Sequence, residues 1–120
     1  MEQTTRLPSK IESELNSEFR FTHEFNNEVG LLHIWNHGRY FVNPTPPYRN
    51  GSVELYVNKA LRSKAELVVL LIPCDVSTTW FNRIWELNKQ NPNHVELRFF
   101  KGRIKYEGDK DSRFQFRVPS

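Results

Sequence analysis

Cysteine is nearly absent from this sequence: Cys74 is the only one among 120 residues. A single cysteine excludes an intrachain disulfide and any zinc site built from several cysteines, and we interpret Cys74 as a packed side chain. Long apolar runs are missing too, since the longest covers residues 67 to 72 and is too short to cross a membrane. With no basic segment followed by an apolar one at the start, we expect no membrane span, no secretory signal and a soluble, cytoplasmic protein.

Glycine is also scarce, with five residues and no Gly-x-Gly, so no glycine-rich turn for a nucleotide cofactor is evident. The sequence has no internal repeat, low-complexity tract or linker. Mean hydropathy is −0.66, which is polar, but nine Phe, four Tyr and three Trp provide enough large apolar side chains for a core. The length suits one unit, and we predict a single domain over residues 1–120.

Metal ligands are not suitably arranged either. His33 and His37 would lie on one face of a helix, but Gly38 favours a turn and no carboxylate has the required spacing, so we expect no metal site. Trp80 and Trp85 could stack on bases, although their place on an apolar helical stripe favours the core.

Periodicity predicts alternating helices and strands. Ser9 begins a capping box, and an almost continuous Leu and Val run before Pro73 is typical of a strand covered on both faces. Predicted helices cover residues 9–18, 52–62 and a segment from about 80 capped by residues 77–79; predicted strands cover residues 20–22, 39–42, 66–72, 94–100, 103–106 and 113–118. This order indicates an α/β sheet with helices on both faces. Ligands bind such sheets beyond the carboxyl ends of the strands, which brings residues 43–48 and 73–79 to one edge.

The proline-rich segment after the second predicted strand suits a particular chemistry. It consists of Asn43, Pro44, Thr45, Pro46, Pro47 and Tyr48. A side-chain amide oxygen and a backbone carbonyl fixed by proline can hold an exocyclic amine, and an aromatic ring can stack on an extruded base. The alternative is a structural proline-rich turn with a tyrosine packed beneath it.

Positive charge is concentrated in the second half of the chain. Residues 1–60 have a net charge of −1 and residues 61–120 a net charge of +4. Lys101, Arg103 and Lys105, with Arg98 close by, alternate with aromatic residues, a mixture that suits phosphate contacts beside base stacking. The alternative is a pair of strands with a solvated basic face.

Taken together, these segments resemble the phage-type DNA N6-adenine methyltransferases, whose members have an Asn-Pro-Pro-Tyr loop after a central strand. The fragments that resemble the family, in order, are Phe19-Arg20-Phe21-Thr22, residues 43–48, Lys59-Ala60, Leu70-Leu71-Ile72-Pro73, Trp80-Phe81 and Gly102-Arg103-Ile104-Lys105-Tyr106. The resemblance implies a small Rossmann-like methyltransferase sheet, truncated relative to a full methyltransferase. It also implies S-adenosylmethionine as cofactor and double-stranded DNA with an adenine target as substrate.

The resemblance also assigns roles to residues. Asn43 and Pro44, or Thr45 and Pro46 in a second alignment, orient the amine, and Tyr48 stacks on the flipped adenine. Thr22, Glu24 and Asn43 contact the cofactor, with Glu24 in place of the family's Asp, while Phe25 stands where the family has small side chains. Lys101, Arg103 and Lys105 neutralise DNA phosphates.

The sequence therefore predicts a DNA adenine N6-methyltransferase, with two alternatives. One is an inactive methyltransferase-like phage protein that binds DNA or inhibits a host enzyme or defence complex. The other is a subunit that completes its sheet by homo-oligomerisation or with a partner chain.

Overall fold

The computed structural model describes residues 9–44, 52–73, 75–99 and 114–119, with the backbone alone described for Ser52 and for residues 114–119. Three α-helices, one 3-10 helix and five strands lie in these ranges. In chain order they are α1 (Ser9–Phe19), β1 (His23–Phe25), the 3-10 helix (Glu28–Leu32), β2 (Arg39–Val42), α2 (Ser52–Arg62), β3 (Leu67–Pro73), α3 (Thr79–Gln90), β4 (Val95–Phe99) and β5 (Phe114–Pro119).

The five strands form one sheet in the order β1-β2-β3-β5-β4. β1, β2 and β3 are parallel, with Phe25 opposite Val42 and Val42 opposite Leu70. β5 runs antiparallel to both of its neighbours, β3 and β4. The predicted α/β fold is thereby confirmed, and the predicted strand over residues 113–118 forms, but it lies inside the sheet.

Both faces of the sheet are covered by helices, as predicted. Val68, Leu70 and Ile72 of β3 belong to the core shared with α2 and α3. Val69 and Leu71 belong to a second core shared with α1. Each fully buried aliphatic side chain contributes about 1.5–3 kcal/mol relative to its exposed state, so β3 is the stabilising centre that its composition predicted.

The helices predicted from periodicity each bury an apolar face, with one exception to the expected positions. Leu15 and Phe19 of α1 are buried, and so are Trp80 and Ile84 of α3. The placement of Trp85 in the core is wrong, because its side chain is 43% exposed. Its indole stacks against Phe81 at 6.2 Å between ring centroids, on the outer side of the buried stripe.

The first strand starts three residues later than the sequence predicted. Arg20 has a left-handed φ of 52°, and its N–H donates to the Asn16 carbonyl at 2.8 Å. The Phe21 N–H donates to Asn16 Oδ1 at 3.1 Å. These contacts close the end of α1, so pairing with β2 begins at His23. The predicted strand over residues 103–106 lies outside the described residues.

Candidate functional site

The carboxyl ends of β2 and β3 meet at one edge of the sheet, as predicted from their parallel order. Asn43 and Pro44 follow β2 directly, and both are buried. The Asn43 N–H donates to the Phe25 carbonyl at 2.8 Å, which ties this residue to the end of β1. With 5% of its surface exposed, Asn43 is the only polar residue that is buried in the described part of the chain. Thr45, Pro46, Pro47 and Tyr48 lie outside the described residues.

On the β3 side of this edge, the segment before α3 is a closed turn. Asp75 Oδ1 accepts from the Ser77 N–H at 3.1 Å and from the Ser77 hydroxyl at 2.6 Å. The Thr78 hydroxyl oxygen accepts from the Phe81 N–H at 3.2 Å and caps α3, as the Ser77-Thr78-Thr79 sequence predicted. Asp75 and Thr78 therefore serve local structure. Cys74 lies outside the described residues.

The three predicted cofactor residues do not gather at one point. Thr22 lies at the opposite edge: its hydroxyl oxygen accepts from the Arg39 N–H at 2.8 Å and its hydroxyl donates to the Arg39 carbonyl at 3.1 Å. Asn43 follows the last residue of β2 and is four residues after Arg39, which corresponds to roughly 13 Å of extended chain. Thr22 thus fixes the start of the β1–β2 pair.

Glu24 occupies the middle of β1, opposite Phe41 of β2. Paired residues of neighbouring strands point to the same face, and Phe41 packs on α1, so Glu24 faces α1. Partial burial raises the pKa of Glu24, and the charge of Glu12 raises it further. Loss of water contacts and the nearby charge of Glu12 both disfavour the ionised carboxylate, which a bound cation would favour.

Phe25 points to the other face, against the 3-10 helix. Its ring stacks on His33 at 5.0 Å and on Tyr40 at 6.3 Å. A Cβ placed on Gly30 would lie 2.7 Å from the Phe25 Cβ, so the glycine backbone rests directly on this side chain. The family resemblance implies small side chains at this position, whereas in this chain the Phe25 side chain packs on Gly30.

Sequence reasoning missed the 3-10 helix that forms this contact. Asn27 caps it, with Oδ1 accepting from the Val29 N–H at 2.9 Å. Asparagine often begins a helical turn, because its side-chain oxygen accepts from the backbone N–H two residues later. The Asn26-Asn27 pair could therefore have indicated the start of this 3-10 helix. The predicted turn near Gly38 is confirmed, since His37 has a φ of 55° and Gly38 a φ of 86°.

The three residues proposed to contact DNA, Lys101, Arg103 and Lys105, lie outside the described residues. Arg98, close to them in sequence, is engaged within the protein. It donates to Glu18 of α1 at 2.7 Å and to Glu96 at 2.6 Å, and it lies over the Phe19 ring at 5.2 Å. The two carboxylates raise the pKa of Arg98 still further, and Arg98 in turn lowers the pKa of Glu18. This pairing leaves little uncompensated charge for a phosphate.

A cavity of about 690 Å³ lies at the opposite edge of the sheet, and no sequence pattern pointed to it. We call it the amino-edge cleft. It lies between α2 and the chain after the 3-10 helix, near the Asn36–Lys64 bridge that precedes β2 and β3. Its lining is Leu31, Ile34, Trp35, Asn36, Leu55, Asn58, Lys59, Arg62, Ser63 and Lys64. Lys59, which the family resemblance singled out, lies 5.4 Å above the Trp35 ring and donates to the Leu31 carbonyl at 3.2 Å.

The described residues contain no group of three His, Cys, Asp or Glu side chains that could hold a metal ion. Among the same residues no helix is both long and apolar enough to span a membrane. Comparisons with protein-family models, with curated proteins and with solved structures find no match.

Proposed function

We propose that this chain is a methyltransferase-like protein that transfers a methyl group from S-adenosylmethionine to N6 of adenine in DNA. The observation that supports this most is the position of Asn43 and Pro44. They stand at the carboxyl end of a parallel strand, tied to the end of β1, where ligands of open α/β sheets bind.

Glu24 is the residue that best fits the cofactor. The amino group and sulfonium of S-adenosylmethionine are positive, and a bound cation would favour the ionised form of Glu24, whose pKa is raised by partial burial and by Glu12. Thr22 is excluded from this role, since its hydroxyl is used by Arg39 at the other edge. When bound, the cofactor would supply the methyl group.

In this proposal Asn43 and the Pro44 carbonyl accept hydrogen bonds from the two N–H groups of adenine N6, so that its lone pair points at the methyl carbon. After the transfer, N6 would release one proton to water. Positioning is the whole contribution of this loop, because no general base is required before attack. Tyr48 is proposed to stack on the flipped base, and Lys101, Arg103 and Lys105 to neutralise phosphates.

A transfer assay tests the proposal. Purified protein is incubated with S-adenosylmethionine and adenine-containing duplex DNA, and N6-methyladenine is quantified by mass spectrometry of the digested nucleosides. We expect methylation that falls roughly 100-fold in Asn43→Ala and in Tyr48→Ala, because positioning of the amine is lost. Gln90→Ala, at the exposed end of α3, is the matched control and should retain activity. Wild-type activity in both site variants would refute the assigned site.

The packing of Phe25 favours a second candidate, a methyltransferase-like protein without cofactor chemistry. The ring lies on Gly30 and fills one side of the β1 end. Calorimetric titration with S-adenosylmethionine separates the two candidates. Micromolar binding supports the enzyme, whereas no heat together with salt-dependent DNA binding supports the inactive form.

A further inference from the structure

The amino-edge cleft has exposed aliphatic side chains around it and a buried, hydrogen-bonded tryptophan at its base. Ile34 is 84% exposed and Leu55 is 56% exposed, although both are large apolar residues. Leu32, next to the cleft in sequence, is 83% exposed. The floor is Trp35, which is 2% exposed and held by a hydrogen bond from its Nε1 to the Gly30 carbonyl at 3.0 Å. Exposed apolar side chains around a concavity are typical of a surface that binds a partner.

The charged residues of the cleft are all positive. Lys59, Arg62 and Lys64 line it, and no Asp or Glu is among its described lining residues. Within the described ranges, neither Arg62 nor Lys64 forms an ion pair, so their charges remain available. Three cations beside an apolar wall attract an anion that also has apolar groups.

We propose that the amino-edge cleft binds an acidic, amphipathic peptide segment of a partner protein. Aliphatic side chains of that segment pack on Ile34 and Leu55, and its carboxylates pair with Arg62 and Lys64. A volume of about 690 Å³ admits several side chains. A peptide fits better than a nucleic acid, because the one aromatic residue among the described lining, Trp35, is buried and offers no exposed face for base stacking.

The cleft lies at the amino ends of β2 and β3, and Asn43 lies at their carboxyl ends. The peptide site is therefore independent of the proposed methyl transfer. Loss of either function would leave the other intact.

The test measures binding of a fluorescein-labelled helical peptide with Leu at positions i, i+3, i+4 and i+7 and Glu elsewhere. We expect saturable binding that weakens with salt, with amide NMR shifts concentrated in residues 31–36 and 55–64. Arg62→Gln/Lys64→Gln should weaken binding roughly tenfold through the loss of two ion pairs. Leu55→Gln should weaken it through loss of apolar contact, and Lys10→Gln, on exposed α1 surface, is the matched charge control.

Further probes separate the proposal from other occupants. A peptide with Lys for Glu, and one with Ser for Leu, should both fail to bind. The proposal is overturned if acetate or phosphate competes as strongly as the acidic peptide. It is also overturned if an oligonucleotide binds the cleft and is unaffected by Leu55→Gln, or if the cleft variants abolish self-association instead. Circular dichroism of each variant confirms that a loss of binding is not a loss of fold.

Discussion

The contact between Gly30 and Phe25 yields a sharp prediction for Gly30→Ala. The added methyl group would lie 2.7 Å from the Phe25 Cβ and 2.8 Å from its Cγ. The Phe25 Cβ is fixed by strand pairing with Val42, so it cannot rotate away. Either the 3-10 helix or β1 has to shift.

The size of the effect follows from two opposing contributions. Gly→Ala ordinarily stabilises a compatible site by about 0.4–1 kcal/mol, because the unfolded chain loses freedom. Overpacking of a close contact costs about 1–3 kcal/mol. A shift of Gly30 would also disturb its carbonyl, which accepts from Trp35 Nε1 at 3.0 Å and from the His33 N–H at 3.3 Å. We therefore expect a net loss of about 1–2 kcal/mol and a melting temperature lowered by about 5 °C.

Urea denaturation followed by tryptophan fluorescence measures this loss, and a double variant identifies its cause. In a Phe25→Ala background the contact with Cγ is gone and the contact with Cβ remains. Gly30→Ala should therefore lower the free energy of unfolding by a smaller amount than in the wild type, but not by zero. Gly38→Ala is the comparison at a positive φ of 86°, where backbone strain adds to a contact of 2.8 Å with Thr22 Oγ1. A Gly30→Ala protein as stable as the wild type would refute the argument.

Two further predictions concern carboxylates. Glu18→Gln should lower stability by about 0.5–1 kcal/mol, because it removes the negative charge and one of the two oxygens that accept hydrogen bonds from Arg98. The pKa of Glu18 is lowered in the folded state. The stability difference between wild type and variant should therefore have its full size above the ordinary pKa of 4.5 and disappear as pH falls through the lowered pKa. A stability difference that is independent of pH would contradict this. Glu24→Gln should raise stability slightly at neutral pH, since the folded state disfavours this carboxylate, and the gain should vanish below the ordinary pKa of 4.5. Thermal melts of each pair between pH 3 and pH 8 check both, and a Glu24→Gln protein less stable at neutral pH would show that the carboxylate has a favourable partner.

The candidate site was predictable only where local sequence signals governed it. The position of Asn43 followed from one strand ended by a proline cluster, and its buried place at the carboxyl edge agrees with that prediction. Thr22 was assigned to the same site from the resemblance, but register puts it beside Arg39. A shift of a few residues along a strand moves a side chain to the other edge, and only pairing fixes that register.

The elements themselves follow from the sequence because their signals are local. The cap at Thr78 and the unbroken apolar run of β3 each specify an element within about ten residues. Tertiary structure decided what these signals leave open: β5 lies between β3 and β4, and Arg98 pairs with Glu18 eighty residues earlier. It also created the amino-edge cleft from residues that have no shared pattern in the chain. Such contacts depend on which buried surfaces match in three dimensions, and no periodicity along the chain records that match.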